Sequence, residues 1–527
     1  MSNGFDAIII GSGFGGAVTA YRLAEAGARV LVLERGRRWT PEQYPRQPTD
    51  AWLYDHTMPE KLNGWLDMRF FHRIAVIQGA GVGGGSQCYS SVVMRPNRFI
   101  FDTGWPPEIT FEAMEPYFAK VDTMLGVRPI PETQHTKRFK LLVHAAEQLG
   151  YGDRVQSVPL ALSFDPAWNY ALEEPFDTRH SQTFTNAQGQ RQGTCIHLGD
   201  CDIGCPVRAK NTLDLNYIPA AEQHGAEVRP LHLVQRIEPA GSGYRVHFDR
   251  LVNGQRLPGT ETAERVVLAA GSLGSTELLL RCRDIYRTLP RVSSQLGQRW
   301  SANANFFTFA MYHDDIVDQS IGPTISSGLE FMDGAVGGQH FFIEDDGFPN
   351  LLRHTLNAKL QTMRGGRFAR LLREHLERGL DEKNPLRRTM VWLGEGIDGA
   401  DGQLRLARRW WQPWHRELQL RWDVTRSQEV IEAEIAMHRR LSEATGGTPH
   451  VPSFWTLLRS LVTVHPLGGC RMGESATTGV VDHRGEVFGH PNLYVADGAI
   501  LSAPTGRNPS MTIAALAERV AAMMVQH

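Results

Sequence analysis

The sequence predicts an α/β protein (α+β overall) of two domains, on three observations. The chain has 527 residues, more than one ordinary hydrophobic core accommodates. It begins with an apolar strand, a glycine-rich turn, a helix and a second strand, the order of a parallel βαβ unit. Another strand, glycine turn and helix follow much later, around residues 266–275. The parallel-sheet domain is therefore predicted to be discontinuous, with a second domain inserted between its parts.

The first unit starts with a strand over residues 5–10 that is apolar except for Asp6. Its apolar run is typical of a strand buried on both faces of a parallel sheet. The run Gly11-Ser12-Gly13-Phe14-Gly15-Gly16 follows, and then a helix is predicted over residues 17–25. An apolar strand predicted over residues 29–33 ends at Glu34.

This order has the chemistry of a Rossmann-type dinucleotide site. The first glycine of Gly-x-Gly-x-x-Gly makes the turn, the second admits a pyrophosphate and the third lets the helix pack on the strand. The helix N-terminus attracts phosphates, and an acid after the second strand accepts hydrogen bonds from ribose hydroxyls. The pattern does not distinguish FAD from NAD. The predicted contacts are Gly11, Gly13, Phe14, Gly15, Gly16 and Glu34.

A second glycine run occupies residues 79–85 and ends at Ser86. It is denser than a turn requires, and it suits backbone that lies flat against a large ligand. Further strands are predicted over residues 227–237 and 266–270, the latter followed by Gly271 and a helix.

The C-terminal part contains two polar segments. Val464-His465-Pro466-Leu467-Gly468-Gly469-Cys470 is the first, and Pro466 keeps His465 out of a helix. The second follows a strand predicted over residues 492–495 and runs from Asp497-Gly498 to a helix predicted over residues 513–525. Asn508 suits the cap of that helix, and Pro509 suits its first position.

Together these motifs resemble the glucose–methanol–choline (GMC) oxidoreductases, and within them the cholesterol oxidase-like branch. The resemblance implies a Rossmann-type FAD-binding domain with FAD as the cofactor. One departure is Tyr89, which stands where a common version of the family has asparagine. Besides the contacts named above, the resemblance assigns the cofactor to Gly79, Gly83, Gly84, Gly85, Ser86, Val234, Gly271, Asp497, Gly498, Pro509 and Met511.

The resemblance also implies oxidation of an alcohol to a carbonyl by hydride transfer to flavin, with a sterol or another bulky apolar alcohol as substrate. His465 is the implied base, since a histidine accepts a hydroxyl proton near neutral pH. Asn508 is the implied partner that orients the substrate oxygen, unless it is only a helix cap. Glu344 is the best candidate for a carboxylate over the flavin, and the alternative for it is a charge where a strand enters a turn.

The flavin-binding pieces are scattered, which predicts an inserted substrate domain built on an antiparallel sheet. Residues 1–102, 199–299 and 459–527 are assigned to the FAD-binding domain, and residues 103–198 and 300–458 to the substrate-binding domain. A half-buried strand is predicted over residues 415–422, where apolar and polar residues alternate. Trp410, Trp411 and Trp414 nearby would line the cavity or belong to the core.

Composition excludes several other classes. The net charge of -2 argues against a nucleic-acid binder, and no apolar run approaches the ~20 residues of a membrane span. No secretory signal precedes the first strand, so we expect a cytoplasmic protein. An arginine-rich helix predicted over residues 352–380 could make transient contact with a membrane surface, or could be a solvated helix face.

Three cysteines raise an alternative function. Cys195, Cys201 and Cys205, followed by Pro206, resemble a segment of FAD dehydrogenase subunits that hold an iron–sulfur cluster. Relatives without a cluster have similar cysteines, and no metal site is assigned. A second alternative is a non-redox flavin lyase of the same fold, against which Asn508 argues because such lyases have histidine there. The sequence does not distinguish oxygen from another electron acceptor, or covalent from non-covalent FAD, and leaves the oligomeric state open.

Overall fold

The computed structural model describes residues 4–47, 50, 52–314, 316–351, 385–409 and 412–526. Within them the predicted α/β class is confirmed, because a mixed sheet with parallel strands and an antiparallel sheet are both present. The helix predicted over residues 352–380 lies outside the described residues, as do Trp410 and Trp411. No helix in the described ranges has the length and apolar character needed to cross a membrane.

The described strands, in chain order, are β1 (Phe5–Ile10), β2 (Val30–Leu33), β3 (Leu53–Tyr54), β4 (Leu66–Phe71), β5 (Ile74–Gly79), β6 (Val155–Ser157), β7 (Phe184–Thr185), β8 (Arg191–Gln192), β9 (Glu227–Arg229), β10 (His232–Ala240), β11 (Gly243–Val252), β12 (Gln255–Leu268), β13 (Phe306–Met311), β14 (Ser327–Val336), β15 (Gln339–Asp346), β16 (Thr389–Gly396), β17 (Gln403–Arg409), β18 (Gln412–Arg421), β19 (Thr448–His450), β20 (Leu461–Thr463) and β21 (Leu493–Val495).

The described α-helices are α1 (Phe14–Glu25), α2 (Phe111–Leu125), α3 (Lys137–Gln148), α4 (Tyr217–Gln223), α5 (Gly271–Asp284), α6 (Gln428–Ala444), α7 (Ser453–Leu458) and α8 (Ser510–Gln526).

The larger sheet has seven strands in the order β10-β11-β12-β1-β2-β9, with β21 also paired to β12. The pairs β1–β2, β1–β12, β2–β9 and β12–β21 are parallel. All four residues of β2 and residues 7–10 of β1 are buried, as expected for strands covered on both faces. The glycine-rich turns after β1 and β12 lie at the carboxyl ends of neighbouring parallel strands, where α/β proteins bind their ligands.

The second large sheet is antiparallel, with the strand order β19-β13-β16-β15-β14-β6. It contains only residues from 155–157, 306–346, 389–396 and 448–450. All of these belong to the predicted substrate-binding domain, whose boundaries remain a prediction. In this sheet Phe342 of β15 lies opposite Glu395 of β16, and Glu344 lies opposite Leu393. Because opposite residues and residues two apart share a face, these four side chains point to the same side.

One strand prediction was wrong in detail and a second was confirmed. The strand predicted over residues 227–237 is divided into β9 and β10 at Pro230 and Leu231. Proline has no N–H for the ladder, and Leu231 has a φ of 60°. The half-buried strand predicted over residues 415–422 is β18, with Leu418 and Leu420 buried, and it pairs with β17 in a two-stranded sheet. Trp414 is 80% exposed, so it is neither core nor cavity wall.

Candidate active site

The first glycine turn requires glycine on steric grounds. Gly11 has a φ of 98°, and a Cβ there would lie 2.4 Å from the carbonyl oxygen of Ala269. A Cβ at Gly15 would lie 1.9 Å from the carbonyl oxygen of Ala496. The absence of side chains at Gly11 and Gly15 therefore lets the start of α1 pack closely against the ends of β12 and β21, at the edge of the sheet.

Glu34 is buried at the end of β2, and its two oxygens already have partners. Oε2 accepts hydrogen bonds from Ser12 N at 3.0 Å and Ser12 Oγ at 2.7 Å, and Oε1 accepts one from Gly36 N at 2.8 Å. Burial raises the pKa of Glu34, and these hydrogen bonds oppose that rise. Glu34 therefore fixes the turn as well as lining the cavity beside it.

One cavity of about 860 Å³ joins the two glycine runs to the C-terminal segments. Its size lies in the range of pockets that hold a cofactor or a drug-sized ligand. A Cβ at Gly85 or Gly271 would meet no atom within 4 Å, so both backbones leave open space toward a ligand. The predicted residues that line the cavity are Gly11, Gly13, Phe14, Gly15, Glu34, Gly79, Gly84, Gly85, Val234, His465, Asp497, Gly498, Asn508, Pro509 and Gly271.

Four predicted cofactor contacts are absent from this lining. A Cβ at Gly16 would lie 2.0 Å from the carbonyl oxygen of Gly11, so this glycine serves helix packing. Gly83 N donates to Ser12 Oγ, and Ser86 Oγ donates to the carbonyl oxygen of Gly83. Met511 is buried in the core. Their contact with the cofactor stays a prediction, and the packing and hydrogen bonds named here show that they also shape the loops and the helix behind the cavity.

Asp497 holds two elements together. Its Oδ2 accepts from Gly271 N at 2.8 Å and Ser275 Oγ at 2.5 Å, and its Oδ1 accepts from Ala499 N at 2.8 Å. Burial raises its pKa to about 6. The carboxylate thus ties the N-terminus of α5 to the segment that follows β21.

His465 and Asn508 meet through a carboxylate that the sequence did not point to. Glu395 of β16 is fully buried, and its Oε1 lies 3.1 Å from His465 Nδ1. The same oxygen accepts a hydrogen bond from Asn508 Nδ2 at 3.0 Å. The imidazole and the amide, which both line the cavity, therefore lie beside one oxygen atom that is buried behind the cavity wall.

Glu344 belongs to the same cluster. Asn508 Nδ2 also donates to Glu344 Oε2, at 3.3 Å. Glu344 is fully buried in the middle of the sheet face rather than at an exposed strand end. Burial, and then the charge of Glu395, raise the pKa of Glu344 well above its ordinary value. The raised pKa favours the protonated form of Glu344.

Asn508 does not cap the C-terminal helix, contrary to one of the sequence interpretations. α8 begins at Ser510, and its first turn closes with Ile513 N donating to the carbonyl oxygen of Pro509. The Asn508 side chain instead reaches the two glutamates in the opposite sheet.

Asn305, just before β13, is a further residue that the sequence did not point to. Its Oδ1 accepts from Val464 N at 3.3 Å, which turns its Nδ2 toward His465 Nδ1 at 3.1 Å. Asn305 therefore links the loop before β13 to the histidine.

The rest of the cavity wall is mainly apolar, with four acids and several basic side chains. Its apolar side chains include Phe307, Ile325, Phe348, Leu393 and Val462. The acids are Asp202, Glu277, Asp346 and Glu417, and the basic residues are Arg35, Arg69, Arg256, Arg281, Arg416, His56 and His232. Burial raises the pKa of Asp202 to about 6, and burial and the charge of Asp202 raise that of Asp346 well above its ordinary value.

The three clustered cysteines do not form a ligand set. Cys195, Cys201 and Cys205 are free thiols, and burial raises the pKa of Cys201 to about 11. In the part of the chain that the structure describes, no group of three His, Cys, Asp or Glu side chains could hold a metal ion.

Glu434 of α6 packs behind the strand that carries Glu395. A Cβ at Gly394 would lie 2.7 Å from Glu434 Cδ, so this glycine in β16 makes room for the acid. Glu434 is fully buried, and neither of its oxygens has a hydrogen-bond partner in the described ranges. Burial, followed by the charges of Glu395 and Asp398, raises its pKa well above its ordinary value of 4.5.

Replacing Glu434 with Met is expected to stabilise the fold by about 1–3 kcal/mol at pH 7, since it removes a buried polar group without partners. Above the ordinary pKa of 4.5 the folded protein keeps a proton that the unfolded chain releases. The free energy of unfolding therefore falls as pH rises toward the folded-state pKa, by up to about 1.4 kcal/mol per pH unit. Denaturant titrations between pH 5 and 8 should show a flatter slope for the variant. Glu429→Met, at an exposed position of α6, is the matched control; an equal slope in the wild type and Glu434→Met would contradict this account.

Comparison with known proteins agrees with the sequence motifs. A family model described as GMC oxidoreductase matches residues 400–517, and one described as an NAD(P)-binding Rossmann-like domain matches residues 9–55. The chain is 32% identical to a cholesterol oxidase of Acinetobacter baumannii, over 98% of this chain and 93% of that protein. It is 31% identical to a cholesterol oxidase of Mycobacterium tuberculosis (strain CDC 1551 / Oshkosh), over 99% and 91%.

Solved structures show the same fold at low sequence identity. The crystal structure of pyridoxine 4-oxidase from Mesorbium loti matches with a TM-score of 0.61 and 16% identity, covering 99% of both chains. A formate oxidase structure matches with a TM-score of 0.64 and 14% identity, also covering 99% of both chains.

Proposed function

The chain belongs to the GMC oxidoreductase family, and on that premise we propose that it oxidises a bulky apolar alcohol, with a sterol as the favoured substrate, using His465 as the base. The broader activity is established by the family: the chain is an FAD-dependent oxidoreductase that acts on alcohol-type donors. The substrate and the roles of individual residues are the proposal. The single observation that carries it is that His465 and Asn508, both on the cavity wall, meet at one carboxylate oxygen buried behind it.

The cavity suits FAD, as the open backbone at Gly85 and Gly271 indicates. We assign the pyrophosphate to the turn at Gly11–Gly15 and the N-terminus of α1, where free N–H groups and the helix dipole favour phosphate. The adenine would lie near Val234, and the ribitol near Gly498, both of which line the cavity. When bound, flavin supplies the acceptor for the hydride of the alcohol carbon.

His465 would take the hydroxyl proton at Nε2, because its other nitrogen already faces Glu395 and Asn305. Removing that proton makes the adjacent C–H bond a better hydride donor, and a histidine can do so near neutral pH. Asn508 would orient the substrate oxygen. Its Nδ2 faces Glu344 and Glu395 in the structure, so this role requires one of those hydrogen bonds to be shared with the substrate.

Glu344 would act as a neutral acid behind Asn508, since it is fully buried and is not among the residues that line the cavity. Its raised pKa favours the protonated form, which limits the negative charge close to the site where a hydride leaves.

The apolar part of the wall supports a bulky apolar substrate. Phe307, Ile325, Phe348 and Leu393 offer a surface that buries hydrocarbon. The two relatives named cholesterol oxidase match nearly the whole chain and point to the same class. The membrane contact predicted for residues 352–380 falls outside the described residues and stays a prediction.

Anaerobic mixing tests the proposal. The FAD-loaded protein is combined with 3β-hydroxysterols, long-chain primary alcohols and short alcohols, and absorbance at the oxidised flavin band is followed. We expect sterols to bleach the flavin fastest, because they fill the apolar part of the cavity. Faster bleaching by short alcohols would contradict the substrate proposal. No bleaching by any alcohol would contradict the oxidation itself and favour the lyase alternative.

A further inference from the structure

We propose that Glu395 is the positioning residue that sets the tautomer of His465, so that the proton of the imidazole sits on Nδ1 and the lone pair on Nε2 faces the alcohol. This inference rests on the proposed function and adds a residue that no family motif in the sequence contains. Its basis is the placement of Glu395 between the two residues already assigned to the reaction.

Two groups compete for the same ring nitrogen. Glu395 Oε1 and Asn305 Nδ2 both lie 3.1 Å from His465 Nδ1. A carboxylate can only accept a hydrogen there, whereas the amide nitrogen can only donate one. Val464 N donates to Asn305 Oδ1, so the amide cannot turn its oxygen to the ring without losing that bond. The nitrogen can therefore satisfy only one neighbour at a time.

Asn305 Nδ2 forms a hydrogen bond with Nδ1 in the structure, whereas the contact with Glu395 is a close approach of the two atoms. We assign the Nδ1 proton to the side of Glu395, because a charge-assisted hydrogen bond to a carboxylate is about twice as strong as a neutral one. The second amide hydrogen bond of the cluster, from Asn508 Nδ2 at 3.0 Å, further stabilises a negative charge on Glu395 Oε1. Glu395 also reaches this point on a rigid element, since β16 is paired on one side with β13 and on the other with β15.

The charged groups around Glu395 agree with a single anion at this position. Glu344 on β15 and Glu434 on α6 are the neighbouring acids, and both have raised pKa values to which the charge of Glu395 contributes. Arg507, which precedes Asn508, is a nearby cation whose pKa the charge of Glu395 helps to raise against the larger effect of burial. These two acids with raised pKa values and one cation surround the position at which the proposal places a single negative charge.

The proton balance of the step then follows. The hydroxyl proton would move to His465 Nε2, and the Nδ1 proton would stay between the ring and Glu395. Flavin, when bound, would supply the acceptor for the hydride that leaves with the C–H electron pair. The resulting imidazolium is stabilised by the Glu395 charge until the Nε2 proton returns to solvent. In this state the imidazolium of His465 and the carboxylate of Glu395 form an ion pair.

Glu395→Gln tests the inference, because it keeps the shape and removes the charge. Asn305 Nδ2 is then the remaining fixed partner of Nδ1, and it favours the opposite tautomer, with the proton on Nε2. We expect the rate constant for anaerobic flavin reduction to fall at least about 100-fold, the scale of general-base catalysis, with FAD content unchanged. The pH dependence should change as well, since the variant lacks the negative charge that stabilises a protonated ring.

Rescue and control variants separate positioning from a general loss of structure. Asn305→Asp in the Glu395→Gln background supplies a carboxylate on the other side of Nδ1. We expect the double variant to reduce the flavin at least tenfold faster than Glu395→Gln does. Glu434→Gln makes the same substitution on α6, which packs against the opposite face of β16, and it should leave the rate constant and pH profile unchanged.

The tautomer itself is read from the ¹⁵N chemical shifts of His465 in labelled, FAD-loaded protein, which need no substrate. We expect Nδ1–H in the wild type and Nε2–H in Glu395→Gln. Equal tautomers in both proteins, or a wild-type rate and pH profile in the variant, would overturn the inference. If no alcohol reduces the wild type, the proposed function fails, and the NMR comparison still decides the role of Glu395.

Discussion

His465→Gln is expected to lower the rate constant for flavin reduction by an alcohol about 10²- to 10⁴-fold, while FAD remains bound. Glutamine keeps a polar side chain of similar length but cannot take up a proton, so the contribution of a general base is lost. At 25 °C a loss of 10³ corresponds to about 4 kcal/mol of transition-state stabilisation. Anaerobic stopped-flow absorbance with a saturating alcohol measures this step directly.

The matched control for that variant is His490→Gln. His490 is buried but does not line the cavity, so its replacement tests the cost of losing a buried imidazole elsewhere. It should leave the reduction step at the wild-type rate. If both variants reduce the flavin as fast as the wild type, His465 is not the base.

Gly15→Ala is the second change with a large expected effect. The added Cβ would lie 1.9 Å from the carbonyl oxygen of Ala496, which precedes Asp497 on the cavity wall. Backbone must move to relieve this contact, and overpacking of this kind costs typically about 1–3 kcal/mol. We expect a lower free energy of unfolding together with loss of most of the bound FAD, because the turn and the Asp497 segment move apart.

Gly85→Ala separates these two effects. Its added Cβ would meet no protein atom within 4 Å and would enter the cavity instead. This variant should unfold at the same denaturant concentration as the wild type when FAD is removed, yet bind FAD more weakly. Flavin absorbance after gel filtration and denaturant titration measure the two quantities. A Gly15→Ala protein with full FAD content and unchanged stability would refute the steric account of the turn.

Local patterns predicted the first unit of the fold closely. β1 has the predicted bounds, and β2 begins one residue later than predicted. α1 begins at Phe14 rather than at residue 17, since Gly15 and Gly16 belong to its first turn. Glycine disfavours a helix by propensity, but here close packing on the strands requires it. The sequence pattern showed the turn and did not show how far the helix extends into it.

The residues around His465 were only partly predictable. His465 and Asn508 lie in segments with family motifs, and Glu344 lies in a strand whose alternation is visible. Glu395 and Asn305 have no local motif. They reach the site because β16 pairs with both β13 and β15, and such pairing over about 50 to 90 positions cannot be read from spacing, since a strand shifted by one residue turns its other face to the site. The sequence feature that could have drawn attention to Glu395 is an acid between two glycines, Gly394 and Gly396.

The central claim is that the alcohol carbon gives a hydride to flavin while His465 takes the hydroxyl proton. Single-turnover reduction with a sterol deuterated at the carbinol carbon tests it most directly, in the wild type and in His465→Gln. We predict that deuterium slows flavin reduction in the wild type, and that the His465 variant is slower still and retains this isotope effect. Reduction that is insensitive to deuterium, or equally fast without the imidazole, would contradict the account.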